Sequence, residues 1–167
     1  RLEHTNHNWN TTMTAPVPIW CIFLAKLLAA CVIMLLTQTW IGVLFVISGK
    51  IAGLTVPIPA ELPRWLLSGT LGGMVICALQ LCLSLVIRSF AVPVGLALIG
   101  GIAALAANAK GLGVWFPYSL MCLGMRANDP SGAMPCSSEH FAVNCAFYII
   151  IFCLLAVLWL KKRDVVA

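Results

Sequence analysis

The chain has 167 residues, of which 62% are hydrophobic and 9% are charged, and its formal net charge at pH 7 is +5. Its mean hydropathy is +1.02, whereas an ordinary soluble domain is roughly half apolar and about a quarter charged. A soluble fold of about 150 residues leaves roughly 30% of its unfolded-chain surface exposed to water. This composition therefore excludes a soluble globular domain and indicates an integral membrane protein.

The first residues, "RLEHTNHNWNTTMTAPVPIW", are polar and then interrupted by prolines. They contain no initiating methionine, no apolar signal-peptide core and no small-residue cleavage site. We therefore expect that the native start, with further spans, precedes Arg1. His4 and His7 lie three residues apart beside Glu3, but a metal site needs more ligands than this stretch supplies. An interface role is favoured for them, and no metal site is predicted.

Four apolar windows approach the length of about 20 residues that is needed to cross a hydrocarbon core some 30 Å thick. Each is predicted to be helical, because a spanning segment must satisfy its own backbone hydrogen bonds. The predicted spans cover residues 19–47, 65–87, 92–107 and 143–160, with an outer loop at 108–142. The predicted fold is an all-α membrane protein, a polytopic transmembrane helix bundle with four spans in this chain.

The basic residues indicate an orientation. Four spans place both termini on one side, which would carry six basic residues against four on the other side. The only basic cluster, "KKR" at 161–163, directly follows a span, where the positive-inside rule applies most strongly. Both termini are therefore predicted to face the cytoplasm, and the protein is predicted to lie in the cell's inner membrane. Lys26 lies a couple of turns into the first span, where its stem can snorkel back to the inner surface.

The four windows contain no Asp or Glu, and apart from Lys26 near the start of the first one their polar side chains are uncharged. Carriers driven by protons or sodium usually keep intramembrane carboxylates, so energy input from outside the bilayer is favoured. Gln38, Gln80, Ser84 and Asn108 are candidates either for a translocation path or for hydrogen bonds between helices. Gln80 and Ser84 share one helix face, and interhelical contacts of this kind contribute roughly 0.6–2 kcal/mol each.

Small residues recur at four-residue intervals in the second and third spans. Gly69 and Gly73 form a GxxxG pair, and Gly100, Ala104 and Asn108 continue the same spacing. Such spacing allows close helix packing, so the second and third spans are expected to approach each other.

The predicted outer loop holds cysteines and aromatic residues. Cys122 and Cys136 lie in it and could pair if the outside is oxidising. No CxxC occurs among the eight cysteines, so no zinc or dithiol motif is predicted. The first part of this loop is too short and too interrupted by proline to span, so it is expected either to lie in the outer interface or to re-enter the mouth of the bundle. Trp115, Phe116 and Tyr118 suit either an anchor in the outer interface or contact with an amphipathic peptide that leaves the membrane.

Three stretches carry a resemblance to a known family: "E…NHNWNTTMTAPVPIWCIFLAK", "ALQLCLSLVIRSFAVPVGLALIGG" and "LWLKKRDV". With them the chain resembles the type 2 ABC transporter permeases, and most closely their lantibiotic-immunity branch. The resemblance implies six spans, of which the four in this chain would be the third to the sixth. It also implies a separate cytoplasmic ATPase subunit, a second permease subunit that is identical or related, and export of a lantibiotic or similar hydrophobic peptide for self-immunity.

On this resemblance, residues 1–18 are the cytoplasmic coupling element on which the ATPase docks. The residues implied to contact it are Glu3, His4, Asn8 and Trp9, and Lys26 would set the depth of the following helix. The chain itself would not be an enzyme and would bind no cofactor, since it contains no G-x-x-x-x-G-K-[ST] phosphate-binding motif. Its expected partners are thus the ATPase, the second permease and membrane lipid, with no nucleic acid.

The alternative is a helical membrane scaffold or assembly protein that has no transport path. An ATPase subunit encoded beside this chain would favour the permease, and its absence would favour the scaffold. A membrane-embedded enzyme is disfavoured, because no span offers a paired base, a nucleophile or a metal cluster.

Overall fold

The computed structural model describes residues 19–87, 89–127 and 135–163. This part of the chain contains helices and turns but no strand. Its α-helices are α1 (Ile19–Ile51), α2 (Leu62–Val86), α3 (Ala91–Ala109), α4 (Leu120–Gly124) and α5 (Ser138–Arg163). Between α3 and α4 lie two single-turn 3-10 helices, Gly113–Trp115 and Pro117–Ser119.

Four of these helices, α1, α2, α3 and α5, are long and apolar enough to cross a membrane. The prediction of an all-α polytopic bundle with four spans is confirmed. The helices extend beyond the apolar windows. For example, α2 begins at Leu62 with a proline in its first turn, where the missing N–H costs no hydrogen bond. With 33 residues, α1 is about 50 Å long at 1.5 Å per residue and exceeds the thickness of a hydrocarbon core.

The helix α2 is the centre of the bundle and contacts α1, α4 and α5. One buried cluster lies near the C-terminal half of α2. In it, Phe23 and Leu27 of α1 pack with Ala78 of α2 and Ala156 of α5. The pairing of the first part of α1 with the last parts of α2 and α5 is what an alternating up-and-down bundle requires.

A second buried cluster lies toward the other end of the bundle. It joins Val75 of α2 and Leu120 of α4 to Phe141 and Cys145 of α5, and Cys145 is only 1% exposed. The short helix α4 therefore belongs to the protein interior rather than to its rim. In the structure, part of the segment predicted as an outer loop at 108–142 is thus ordered and packed between spanning helices.

The outward faces of α1 and α3 are apolar, as surfaces that contact lipid must be. Trp40 of α1 and Leu98 of α3 are 62% and 68% exposed, respectively, and each has many apolar neighbours on the same helix. With four such helices the protein is an integral membrane protein.

Candidate functional site

The segment from Gly113 to Gly124, which we call the inserted segment, folds back into the bundle along α2. The Tyr118 hydroxyl meets Gln80 of α2, and Gly124 packs on the backbone of Ser68. These two positions of α2 are 12 residues apart, about 18 Å along its axis at 1.5 Å per residue. The inserted segment therefore runs beside the spanning part of α2 instead of lying outside the bundle.

Glycines of α2 allow this close approach. A Cβ on Gly72 would collide with the backbone of Leu120 in α4, and one on Gly69 would collide with Met125. Gly73 faces Met34 of α1. The glycines of α2 thus accommodate the inserted segment and α1.

Side chains of α5 satisfy carbonyl groups of the inserted segment. Asn144 donates from Nδ2 to the Val114 carbonyl oxygen at 2.6 Å, and the Tyr148 hydroxyl donates to the Trp115 carbonyl oxygen at 2.7 Å. Non-helical backbone at membrane depth is tolerated only where it is buried in protein or lines a water-filled cavity. These two bonds therefore give the carbonyl groups of Val114 and Trp115, in the first 3-10 helix, hydrogen-bond partners within the protein.

Ser119 closes the turn from within. Its hydroxyl lies within hydrogen-bonding range of the Gly113 carbonyl oxygen and, at 2.6 Å, of the Phe116 carbonyl oxygen. Ser119 is fully buried, so its single hydroxyl holds two successive turns of the segment together inside the protein.

Gln80, a predicted polar candidate, is half-buried and donates from Nε2 to the Tyr118 hydroxyl at 2.7 Å. The Tyr118 ring lies over Gly100 of α3, where a Cβ would come within 2.6 Å of a ring carbon. Tyr118 therefore ties α2, α3 and the inserted segment together. Its ring is directed into the bundle, while Trp115 remains 74% exposed.

Gln38 is only 2% exposed, although it lies in the middle of α1. It donates from Nε2 to the Met125 sulfur at 3.2 Å, directly after the inserted segment, and its carbonyl oxygen has no hydrogen-bond partner among the described residues. Gln38 also lines an apolar groove of about 600 Å³ between α1 and α2. It is thus a polar link from α1 to the interior at the edge of a cavity.

Asn108 and Ser84 occupy different environments. Asn108 ends α3 half-buried, with its side-chain oxygen where a Cβ on Gly113 would be. Ser84 is exposed and donates to the Leu81 carbonyl oxygen of its own helix at 2.8 Å. The structure therefore brings Gln38, Gln80 and Asn108 to the inserted segment or its end, but leaves Ser84 apart from them.

The four predicted ATPase contacts lie outside the described part of the chain: Glu3, His4, Asn8 and Trp9. Lys26, which is predicted to set the depth of α1, is half-buried on this helix. Its neighbours Phe23 and Leu27 pack in the first buried cluster. The beginning of α1 is therefore fixed against α2 and α5 close to the point where the coupling element would join it.

The cysteines are free thiols, Cys122 and Cys136 included. Burial raises the pKa of the Cys136 thiol, and the positive charge of Arg126 opposes this rise. Since the thiolate is the reactive form, Cys136 is poorly reactive near neutral pH. Within the described ranges, no group of three or more His, Cys, Asp or Glu side chains is placed to hold a metal ion.

Comparison with known proteins adds the family. The sequence model of the family described as ABC-2 family transporter protein matches residues 1–104. These residues include the polar N-terminal stretch, α1, α2 and most of α3. No curated protein and no solved structure matches the chain. The chain therefore belongs to the ABC-2 family of transporter proteins, the transmembrane components that work with a separate ABC ATPase subunit.

Proposed function

We propose that this chain is the permease subunit of an ATP-driven exporter that expels a lantibiotic or similar hydrophobic peptide from the membrane, so that the cell protects itself. The observation that carries the proposal is the family match over residues 1–104. It is supported by the resemblance of "NHNWNTTMTAPVPIWCIFLAK" and the two later stretches to the lantibiotic-immunity permeases.

The charge distribution of the helices supports energy input from a separate motor. In the described spanning helices the only carboxylate is Glu139, in the first turn of α5, and it is exposed. A carrier driven by an ion gradient usually keeps ionisable groups in the bundle interior. ATP hydrolysis on the partner subunit is therefore the proposed energy source.

The proposed working assembly has two permease subunits, identical or related, and cytoplasmic ATPases in the inner membrane. Both termini face the cytoplasm, so residues 1–18 are available to the ATPase as a coupling element. The proposed direction of transport is outward: closure of the ATPases would act on the inner side of the spans and open the outer side.

The continuous helix α1 offers a route for this motion. It runs without interruption from Ile19 to Ile51, so a displacement at its start reaches Gln38 about 28 Å away at 1.5 Å per residue. Gln38 contacts Met125 at the end of the inserted segment. Movement of the coupling element would thus be transmitted to the inserted segment. Among the described residues, this is the only part of the bundle that has non-helical backbone beside the spanning part of α2.

The coupling element is tested by co-purification of the ATPase subunit with the full-length permease. We expect the double variant Glu3→Ala/Trp9→Ala to lose at least about tenfold of the bound ATPase, since a buried aromatic anchor at an interface commonly contributes 2 kcal/mol or more. Resistance to the peptide should fall in parallel.

The matched control is Thr5→Ala/Thr12→Ala, two polar positions of the same stretch that are not assigned to the contact. This variant should retain the ATPase and the resistance. If the Glu3/Trp9 variant retains as much ATPase as the unchanged protein, residues 1–18 are not the docking element.

A further inference from the structure

The groove between the second half of α1 and the first half of α2 is open on the outer surface of these two helices. Leu35, Val43, Ile47 and Leu67 are among its lining residues and are between 41% and 63% exposed. Its volume of about 600 Å³ lies within the range of roughly 300–1,000 Å³ that holds small ligands. None of the described residues that line it is charged.

Three polar side chains line one part of this groove, and each has a free acceptor, whereas the second amide hydrogen of Gln38 is the one donor that they leave. The hydroxyls of Thr39 and Thr70 each donate at 2.8 Å to a carbonyl of the preceding turn of their own helix, so only their lone pairs remain for a ligand. Gln38 donates to Met125, and its buried carbonyl oxygen has no partner among the described residues.

The unpaired oxygen of Gln38 favours a ligand that brings a donor. A buried polar atom without a hydrogen bond costs free energy that a bound O–H or N–H group would recover. The thioether of Met125 is a weak acceptor, so the amide of Gln38 can exchange that contact and rotate its oxygen toward the groove at little cost.

The charge of the groove's lining residues favours a neutral amphiphile as the ligand. An anion or a cation would be desolvated in this groove without a partner of opposite charge among its described lining residues. A spanning helix, about 10–12 Å across, already pairs its backbone N–H groups internally. Gln38 lies against Gly69, seven residues or about 10 Å inside the start of α2.

We propose that the groove between α1 and α2 binds a neutral lipid whose hydroxyl group donates to Gln38 while its apolar tail lies along Val43 and Leu67. This lipid site goes beyond peptide export, because it lies on the lipid-facing side of two helices and does not depend on which peptide is carried.

Three photoactivatable probes test the site on the full-length permease in nanodiscs. They share one C16 chain that carries a diazirine and differ only at the head: a primary alcohol, its methyl ether and the carboxylate. The alcohol is expected to label the groove-lining peptides of α1 and α2 about fivefold more than the ether or the carboxylate, as one hydrogen bond allows. Equal labelling by alcohol and ether would overturn the proposal.

Variants identify the side chain that accepts the hydrogen bond from the hydroxyl of the alcohol probe. Gln38→Leu, which keeps a similar size, should abolish the preference for the alcohol over the ether, and Thr39→Val should reduce it. Thr37→Val is the matched control, because Thr37 makes the same type of bond, to the Ile33 carbonyl at 2.8 Å, but does not line the groove.

The Gln38→Leu variant removes an unpaired buried group, so it should remain monodisperse. If it nevertheless aggregates, the proposal is tested by comparing the preference for the alcohol in Thr39→Val with that in Thr37→Val. A preference for the alcohol that survives Gln38→Leu, or that Thr37→Val lowers as much as Thr39→Val does, contradicts the proposal.

Discussion

The variant Gly72→Ala is expected to lower the stability of the permease by about 1–3 kcal/mol or more, the range found for overpacked interiors. The added Cβ would collide with the carbonyl group of Leu120 and the amide nitrogen of Met121. These are backbone atoms, so no side-chain rotation can relieve the contact, and the inserted segment must move away from α2. Thermal unfolding of the purified protein in detergent, followed by size-exclusion fluorescence, measures the loss.

The matched control for this substitution is Gly101→Ala on α3. A Cβ at Gly101 has no atom within 4 Å, and alanine is the better helix former by about 1 kcal/mol in aqueous hosts. The midpoint temperature should therefore stay the same or rise. If Gly72→Ala is as stable as Gly101→Ala, the inserted segment does not pack against α2 as described.

The variant Phe141→Ala is expected to cost about 2–3 kcal/mol. Phe141 is 1% exposed and fills the second buried cluster between α2, α4 and α5. In a soluble core such a truncation commonly costs 3–5 kcal/mol. In a membrane the transfer contribution is smaller, because lipid is as apolar as the protein interior, and the lost packing remains. Unfolding of the reconstituted protein by a denaturing detergent measures this cost.

The control for this truncation lies six residues further along the same helix. Phe147 is 57% exposed on the outer face of α5, so Phe147→Ala should change the free energy of unfolding by less than about 0.5 kcal/mol. Equal losses from the two phenylalanines would show that burial between α2, α4 and α5 does not distinguish them.

Hydropathy alone was sufficient to predict the spanning helices. A segment that crosses lipid must be apolar over most of its length and must satisfy its own backbone, so α1 and α5 are visible from composition. Their ends are less visible, because a helix continues into polar residues such as Ser138 and Glu139 wherever its backbone bonds remain favourable.

The position of the inserted segment could be predicted only in part, because the sequence left open whether it lies in the outer interface or re-enters the bundle. The segment is too short to span and is interrupted by a proline, and its position depends on contacts with distant residues. Tyr118 is held by Gln80 and Gly100, and Val114 is held by Asn144. The nearest signal in the sequence is the glycine-rich run "SGTLGG" of α2, which marks where another backbone can approach.

The polar candidates show what the residues alone can tell. Gln38, Gln80 and Asn108 were selected because polar groups are costly inside a membrane, and each lies at the inserted segment or its end. Their partners could not be named from the sequence, since they come from a segment that folds back between the helices. Whether these residues line a path for a substrate stays a prediction.

The central claim is that this chain and its ATPase expel a membrane-embedded peptide. Proteoliposomes that contain the full-length permease and enclose the ATPase and ATP in their lumen can be loaded with a fluorescent lantibiotic, and its release into the medium followed against vesicles without ATP. The account predicts release that requires ATP and is lost in the Glu3→Ala/Trp9→Ala variant. Peptide that stays in the bilayer while ATP is hydrolysed at the normal rate would contradict it.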